Sequence, residues 1–466
     1  MSIEPIGIFA VFIGLFCLLL GNSATTIALV VASVFGSAAA LFVSSANIQP
    51  GHVLLGFLAV GIMTRRHDAQ AVIRSLHPGE PGFWLALLVV YGVSSAYFAP
   101  RLLAGGTQII PLGTTIYDNT GSTVPLVPVS SNLTQSIYMV GNLLCFAMTA
   151  AVASRYRGFT AVITGLIGYT LANTLFALLD IATFSSGSQD LLSFMRNAQY
   201  TLHTEDQIAG LKRIVGSFTE ASSFARSSLG VLGFAGTLWL WGYRPRLTGM
   251  VAAASVVLLV MSTSSTGLVG APVLLVVLFA TAVSLSGQNT TPRYNLVAIV
   301  ATPLILLAVA LFVAIDVNLF KTVYSYVDIV VLGKSDSDSG IERHAWNMAA
   351  LQNFFDSWGL GVGLGTARTS SFLLSLIANV GIPGTVFYAA FAYGALIKKE
   401  PGGDRFATNV RLAARNGCFG LLIGDLLVSP AIDQGLAFYV LAALASSHPE
   451  RGLRYVGAMP PIGAVI

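Results

Sequence analysis

Two polar stretches hold most of the side chains in this chain that could do chemistry. One is "SGIERHAWNMAALQNFFDSWGLGVGLGTARTSS", residues 339–371, with Arg343, His344 and, beyond a run of alternate glycines, Arg368. The other is "TEDQIAGLKRIVGSFTEASSFARSSLGVLGF", residues 204–234, with Arg213, Glu220 and Arg226. Guanidinium groups bind oxyanions as planar forks, and a carboxylate or an imidazole can take a proton from a hydroxyl. Anion recognition and proton transfer are therefore the chemistries within reach of these residue types.

Placed on a helix from Ile341 to Trp358, the first stretch is amphipathic. Ile341, Met348, Leu351, Phe354, Phe355 and Trp358 fall on one half, and Glu342, Gln352, Asn353, Asp356 and Ser357 on the other. Arg343, His344 and Asn347 project from the first turns of the apolar half, which directs them toward protein or a cavity. The alternative is a helix lying in the membrane interface with a snorkelling arginine. The glycines at 359, 361, 363 and 365 do not have dinucleotide-binding spacing. They can bring a backbone and its N–H groups close to an anion, with Arg368 three residues on, or they form a flexible turn before the next helix.

In the second stretch, Thr204 and Gln207 have capping-box spacing. Ile208, Leu211, Val215 and Phe218 form a stripe, which predicts a short surface helix that delivers Arg213. Glu220 starts the following apolar run and Arg226 lies about a turn and a half deeper, where charges are costly unless paired or functional. They read either as a site or as a structural pair, Glu220 with Arg213 or Arg226. Asp425 and Asp433 bracket "GDLLVSPAIDQG" and read as helix ends, and "KSDSDSG" as a solvated turn. Asp180 and Asp316 end apolar runs and call for no further role.

The elements that must position these groups are membrane helices. Only 9% of the 466 residues are charged and 55% are hydrophobic, with mean hydropathy +0.77, against about a quarter charged in a soluble domain. Apolar runs occur at 5–21, 25–45, 48–63, 84–99, 136–153, 159–179, 221–241, 248–262, 267–285, 295–315, 371–396, 410–428 and 431–447. They predict an all-α integral membrane protein of 12–13 transmembrane helices, forming one polytopic domain over 1–466. Unbroken apolar runs exclude a β-barrel, whose strands must alternate.

"TRRHDAQAVIRSLHPGEPG", "SRYRG", "GYRPR", "PRYN", "KKEPGGDRFATNVR" and "HPERGLRYV" gather the basic residues on one side, which is then cytoplasmic. The longer segments 100–135, 181–220 and 316–370 fall on the opposite side. The N-terminus lies outside if thirteen runs span, and inside if one of the first three does not. It reads as a retained helix rather than a cleaved signal. Cys17, Cys145 and Cys418 sit singly in apolar runs without disulfide or metal spacing, and the net charge of +4 is loop charge that does not argue for nucleic acid.

Three features in order, "RIVGSFTEASSFA", "MSTSSTGLVGAPVLL" and "RHAW...FFDSWGLGVGLG...SSFLLSLIANVGIPG", resemble the O-antigen polymerase and ligase superfamily of bacterial inner-membrane glycosyltransferases, including the Wzy-type exopolysaccharide polymerases. The match covers about residues 205–390. The resemblance implies a GT-C-like enzyme of the inner (cytoplasmic) membrane, with amphipathic helices in its long periplasmic loop, 316–370, and its active face periplasmic. Such enzymes transfer a glycan from undecaprenyl diphosphate to an acceptor hydroxyl with inversion, using no cofactor and no metal. Carried over to matching positions, Arg213, Arg343 and Arg368 bind the diphosphate; the acceptor hydroxyl must also lose its proton, for which Glu220, the preferred catalytic group, or His344 is available.

The implied partners are the undecaprenyl-diphosphate-linked oligosaccharide and membrane lipid, with a chain-length regulator and a flippase alongside. Ligases of this superfamily commonly carry a histidine after the glycine-rich turn. Here that stretch is "TARTSSFLL", and His344 lies on the wrong side of the glycines, which tilts the reading toward a polymerase. A ligase that moves glycan to lipid A core or protein stays as the alternative. So does a transporter of lipid-linked sugars, whose paired half-helices and midplane charges the sequence does not display.

Overall fold

In hydrocarbon a backbone must satisfy its own hydrogen bonds, so apolar runs of this length fold as helices. The computed structural model describes residues 2–43, 46–117, 122–199, 201–208, 210–286, 293–398 and 404–449; the basic tail read from the sequence lies largely outside them. In chain order the helices are α1 (Pro5–Leu20), α2 (Asn22–Ala32), α3 (Pro50–Met63), α4 (Arg66–Ser75), α5 (Pro81–Leu102), α6 (Ser130–Ala153), α7 (Tyr156–Ser185) and α8 (Ala221–Trp241). They continue with α9 (Pro245–Met261), α10 (Ser265–Ser286), α11 (Arg293–Ile315), α12 (Val317–Val330), α13 (Asp338–Asp356), α14 (Phe372–Ala392), α15 (Arg405–Val428) and α16 (Gly435–Ser446). Six are long and apolar enough to cross a membrane: α5, α6, α7, α10, α11 and α14 with its continuation to Ile397.

The run at 25–45 is not one helix. It ends at Ala32, and strand β1 (Ser2–Ile3) pairs with β2 (Leu41–Val43), which pairs with β3 (Ala46–Ile48). Beyond the helix end, Ser37 ties the turn to the 186–220 segment: its hydroxyl proton is shared between the carbonyls of Met195 (2.8 Å) and Ser217 (3.0 Å). Those contacts put the N-terminal strand at the same end of the bundle as the long polar segments, called here the loop end.

The core is continuous from Leu29 in α2 to Ala445 in α16. Its tightest seam joins antiparallel α8 and α15. A Cβ at Gly233 would lie 2.2 Å from the Asn416 carbonyl oxygen, and one at Gly420 2.3 Å from that of Leu229. Small residues let the two backbones touch, as membrane helices without a strong hydrophobic drive require.

α14 departs most from expectation. A continuous helix rises ~1.5 Å per residue, so sixteen residues should separate Phe372 from Tyr388 by roughly 24 Å. Their rings instead lie 4.8 Å apart, because Gly381 (φ 59°) breaks the helix just before Pro383 and the two halves fold against each other. α14 is thus one broken helix, which the sequence reading did not foresee.

The predicted surface helix after Thr204 is absent as well. Strand β4 (Gln108–Ile109) pairs with β5 (Val124–Pro125), and strands β6 (Gln207–Ile208) and β7 (Leu211–Lys212) form a hairpin in place of the helix, with Gly210 at φ 76°. Helix formation loses because Val215 and Gly216 give their N–H groups to the Asp180 carboxylate, at 2.8 and 3.1 Å.

Candidate functional site

Three chain segments bring the predicted charged residues to the loop end. The first is the turn from β7 into α8. Asp180, at the end of α7, has no exposed surface. Besides the two amides it receives Arg196 Nη2 at 2.7 Å and Lys212 Nζ at 3.4 Å. This buried knot fixes the backbone on either side of Arg213, so Asp180 is an organising residue and not merely a helix end. The Arg213 amide donates to the Asp206 carbonyl (3.0 Å), and its guanidinium pairs with the Asp206 carboxylate at 3.6 Å. Glu220 then occupies the N-cap position of α8 and accepts a hydrogen bond from the Ser222 hydroxyl.

The second segment is α13, started by Ser337, whose hydroxyl accepts from the Gly340 amide (3.2 Å). "KSDSDSG" therefore supplies a helix cap. The inward face of α13 is rotated from the predicted apolar arc: Arg343, Asn347, Leu351 and Phe354 of that arc are partly buried, while His344, expected to point inward, is exposed. Ala350 and Asn353 are buried against the protein, whereas Ile341, Met348, Phe355 and Trp358 are exposed. Asn353 donates to Thr107 Oγ1 (3.1 Å) and the Gln108 carbonyl (2.7 Å), and Asp356 accepts from Thr107 Oγ1 (2.6 Å). Polar anchoring thus sets the rotation of the helix and turns its apolar side outward, as a helix at a lipid boundary requires. Arg343 is half-buried on the anchored side, with Asn347 one turn on, while His344 is exposed.

The third segment is the strand-like stretch 366–368. Leu112 donates its amide to the Thr366 carbonyl (3.0 Å), and the Arg368 amide donates to the Ile110 carbonyl (2.9 Å). The Arg368 guanidinium lies over Trp346 of α13, 4.3 Å from the ring centroid, a cation–π contact. Next to it, Asn347 and Ser370 exchange two hydrogen bonds of 2.9 Å. Trp346 and Asn347 therefore tie the Arg368 segment to the helix that carries Arg343.

The electrostatics show that the groups converge. Desolvation pushes the Arg213 guanidinium below the ordinary arginine range; Asp206 and Glu220 act against that, and Arg343 adds to it. Desolvation likewise pushes Arg368 down, opposed by Glu342 and Glu220. Glu220 thus bears on both Arg213 and Arg368, and Arg343 on Arg213, with none of these pairs closed into an ion pair. Arginine stays charged in proteins. Asp206, Glu220 and Glu342 offset the three guanidinium groups, so an anion would bind here by taking the place of these carboxylates.

Two predicted features fall elsewhere. The glycine run is not an anion cradle: Gly361 and Gly363 donate their amides to Ser357 Oγ (3.0 Å) and the Asn379 carbonyl (2.9 Å). A Cβ at Gly361 would lie 2.6 Å from both the Asn379 carbonyl oxygen and the Gly381 nitrogen, so the run is threaded into the break of α14. Arg226 pairs with neither Glu220 nor the site. It holds Asp425 across the α8–α15 seam, with Nη2 2.9 Å from Oδ2, and donates to the Gln434 carbonyl at 2.7 Å. Asp425 is therefore the partner of a buried structural ion pair.

Trp346 and Asp180 are the contributors that sequence reasoning passed over. Trp346 stands three residues from Arg343, a one-turn neighbour that could have been noticed. Asp180 carried no local signal at all. No protein-family model, curated protein or solved structure matches the chain.

Proposed function

We propose that this chain is a Wzy-type polymerase that extends undecaprenyl-diphosphate-linked oligosaccharide repeat units in exopolysaccharide or O-antigen biosynthesis. It would sit in the inner membrane with its loop end in the periplasm. The meeting of Arg213 and Arg368 at Glu220, with Arg343 acting on Arg213, carries this reading. A diphosphate leaving group suits several neighbouring cations, and a long prenyl tail fits the apolar surface that α13 presents beside them.

In the proposed reaction an acceptor hydroxyl oxygen attacks the anomeric carbon of the lipid-linked glycan from the face opposite the diphosphate. The new carbon–oxygen bond forms as the bond to the diphosphate oxygen breaks, which inverts the centre. The guanidinium groups take up the charge growing on the leaving oxygens through charge-assisted hydrogen bonds, which are stronger where water is scarce. Glu220 receives the acceptor proton. Arg368 is held rigid over Trp346, so little ordering remains to be done when the anion arrives. His344, exposed on α13, is placed to meet the glycan rather than the diphosphate.

Purified protein in detergent, given an undecaprenyl-diphosphate-linked repeat unit, should lengthen the glycan without a membrane barrier. Arg343→Ala should abolish lengthening and leave the single-unit lipid unchanged. Glycan growth that survives Arg343→Ala, Arg368→Ala and Arg213→Ala together would overturn the reading.

A further inference from the structure

A second polar cluster lies below the guanidinium site. We infer that His52 and Asp433 form a hydrated proton-binding site there. Asp433, in the hairpin between α15 and α16, uses only one carboxylate oxygen. Oδ1 accepts from Asn142 Nδ2 (2.7 Å) and from the Gly435 amide (2.9 Å), and among the described residues Oδ2 has no donor. Its charge has no ion-pair partner among them either. Arg226, the nearest cation, is turned to Asp425 and the Gln434 carbonyl.

His52, on α3, packs against α6 at Gly141, where an added Cβ would lie 3.4 Å from the imidazole, next to the Asn142 that donates to Asp433; burial desolvates the ring, the Asp433 charge acts against that, and no ion pair joins the two. Among the described residues, three solvent-inaccessible atoms of this group have no partner: His52 Nδ1, Asn142 Oδ1 and the Tyr439 hydroxyl. The Tyr138 ring, one turn before Asn142 on α6, lies 5.7 Å from His52. The groups facing Asp433 are thus His52 from α3, Asn142 from α6, Arg226 from α8, Asp425 from α15 and Tyr439 from α16.

A polar atom left dry and unpaired is costly. Three together beside a carboxylate make a site that water fills, since a polar cavity with several partners binds water tightly. The unmet groups are mainly acceptors, Asp433 Oδ2 among them, so the occupant is a donor. A proton carried by water and held between imidazole and carboxylate supplies that donor and neutralises the only unpaired charge of the cluster. Asp433 is half-exposed, which connects the pair to solvent at the loop end. In the proposed transfer, such a site takes on the proton that leaves the acceptor hydroxyl once Glu220 passes it on. That role rests on the proposed function, whereas the proton site itself does not.

The test is pH-difference infrared spectroscopy on the full chain in lipid nanodiscs, without substrate, over about pH 4 to 9. Wild type should show a carboxyl band that Asp433→Asn removes and an imidazole band that His52→Gln removes. Removing an opposing charge destabilises the imidazolium, so Asp433→Asn should move the His52 transition down by about one to three pH units. Arg343→Lys should leave both bands in place, which separates this inference from the proposed function. Should Asp433→Asn fail to fold, Asp433→Glu and His52→Gln are compared for the same two bands. If neither band is lost, or if the imidazole transition ignores the change at Asp433, the inference fails.

Discussion

Asp180→Ala should loosen the turn that presents Arg213 before it disturbs the helical bundle. The carboxylate has no exposed surface, and the side chains of Arg196 and Lys212 that it neutralises are 7% and 10% exposed. Removing one partner of a buried ion pair costs ~3–5 kcal/mol, because the other charge is left unpaired. The Val215 and Gly216 amides lose their acceptor at the same time. Both cations sit at the loop end, where rehydration softens the loss, so the lower figure of about 3 kcal/mol applies. At 1.4 kcal/mol per factor of ten, that cost corresponds to roughly hundredfold faster opening of residues 211–218. Hydrogen exchange followed by mass spectrometry reads it directly, with a peptide from the α8–α15 seam as internal control. Asp180→Asn keeps the shape and one acceptor and should cost about tenfold. Unchanged exchange at 211–218, or an equal rise in the seam peptide, would refute the reasoning.

Other perturbations separate the site from its scaffold. Arg343→Lys preserves charge but loses the bidentate fork, and glycan lengthening should fall at least about tenfold with little change in melting temperature. Trp346→Leu removes the ring under Arg368 and should weaken inorganic pyrophosphate binding by roughly two- to fivefold, a loss of about 0.5–1 kcal/mol measurable by calorimetry. Arg226→Met should destabilise by ~3–5 kcal/mol and reduce the yield of folded protein, whereas Arg226→Met with Asp425→Leu should recover most of it. Gly361→Ala meets both a positive φ of 83° and the Asn379 carbonyl oxygen, so a loss of about 2 kcal/mol or more in thermal stability is expected.

The residues around the candidate site were legible to different degrees. Arg213, Glu220, Arg343 and Arg368 stood out because charge is rare in so apolar a chain, and rarity needs no fold to be seen. Arg226 stood out equally, but nothing local says that its partner is Asp425, 199 positions away. The arc of α13 was legible as a period, yet its direction was not: a lipid boundary and a protein core both accept apolar residues, and Asn353 and Asn347 settled which side faces inward.

Composition and hydropathy were enough to establish that the chain is helical and apolar enough for a membrane, because the solvation of the backbone leaves an apolar run of that length few alternatives. The hairpin at 207–212, the break at Gly381 and the Asp180 knot came from long-range contacts, in which a carboxylate or a backbone carbonyl competes with the local helix for the same N–H groups. Such competition depends on what lies nearby in space. Spacing along the chain holds no record of it.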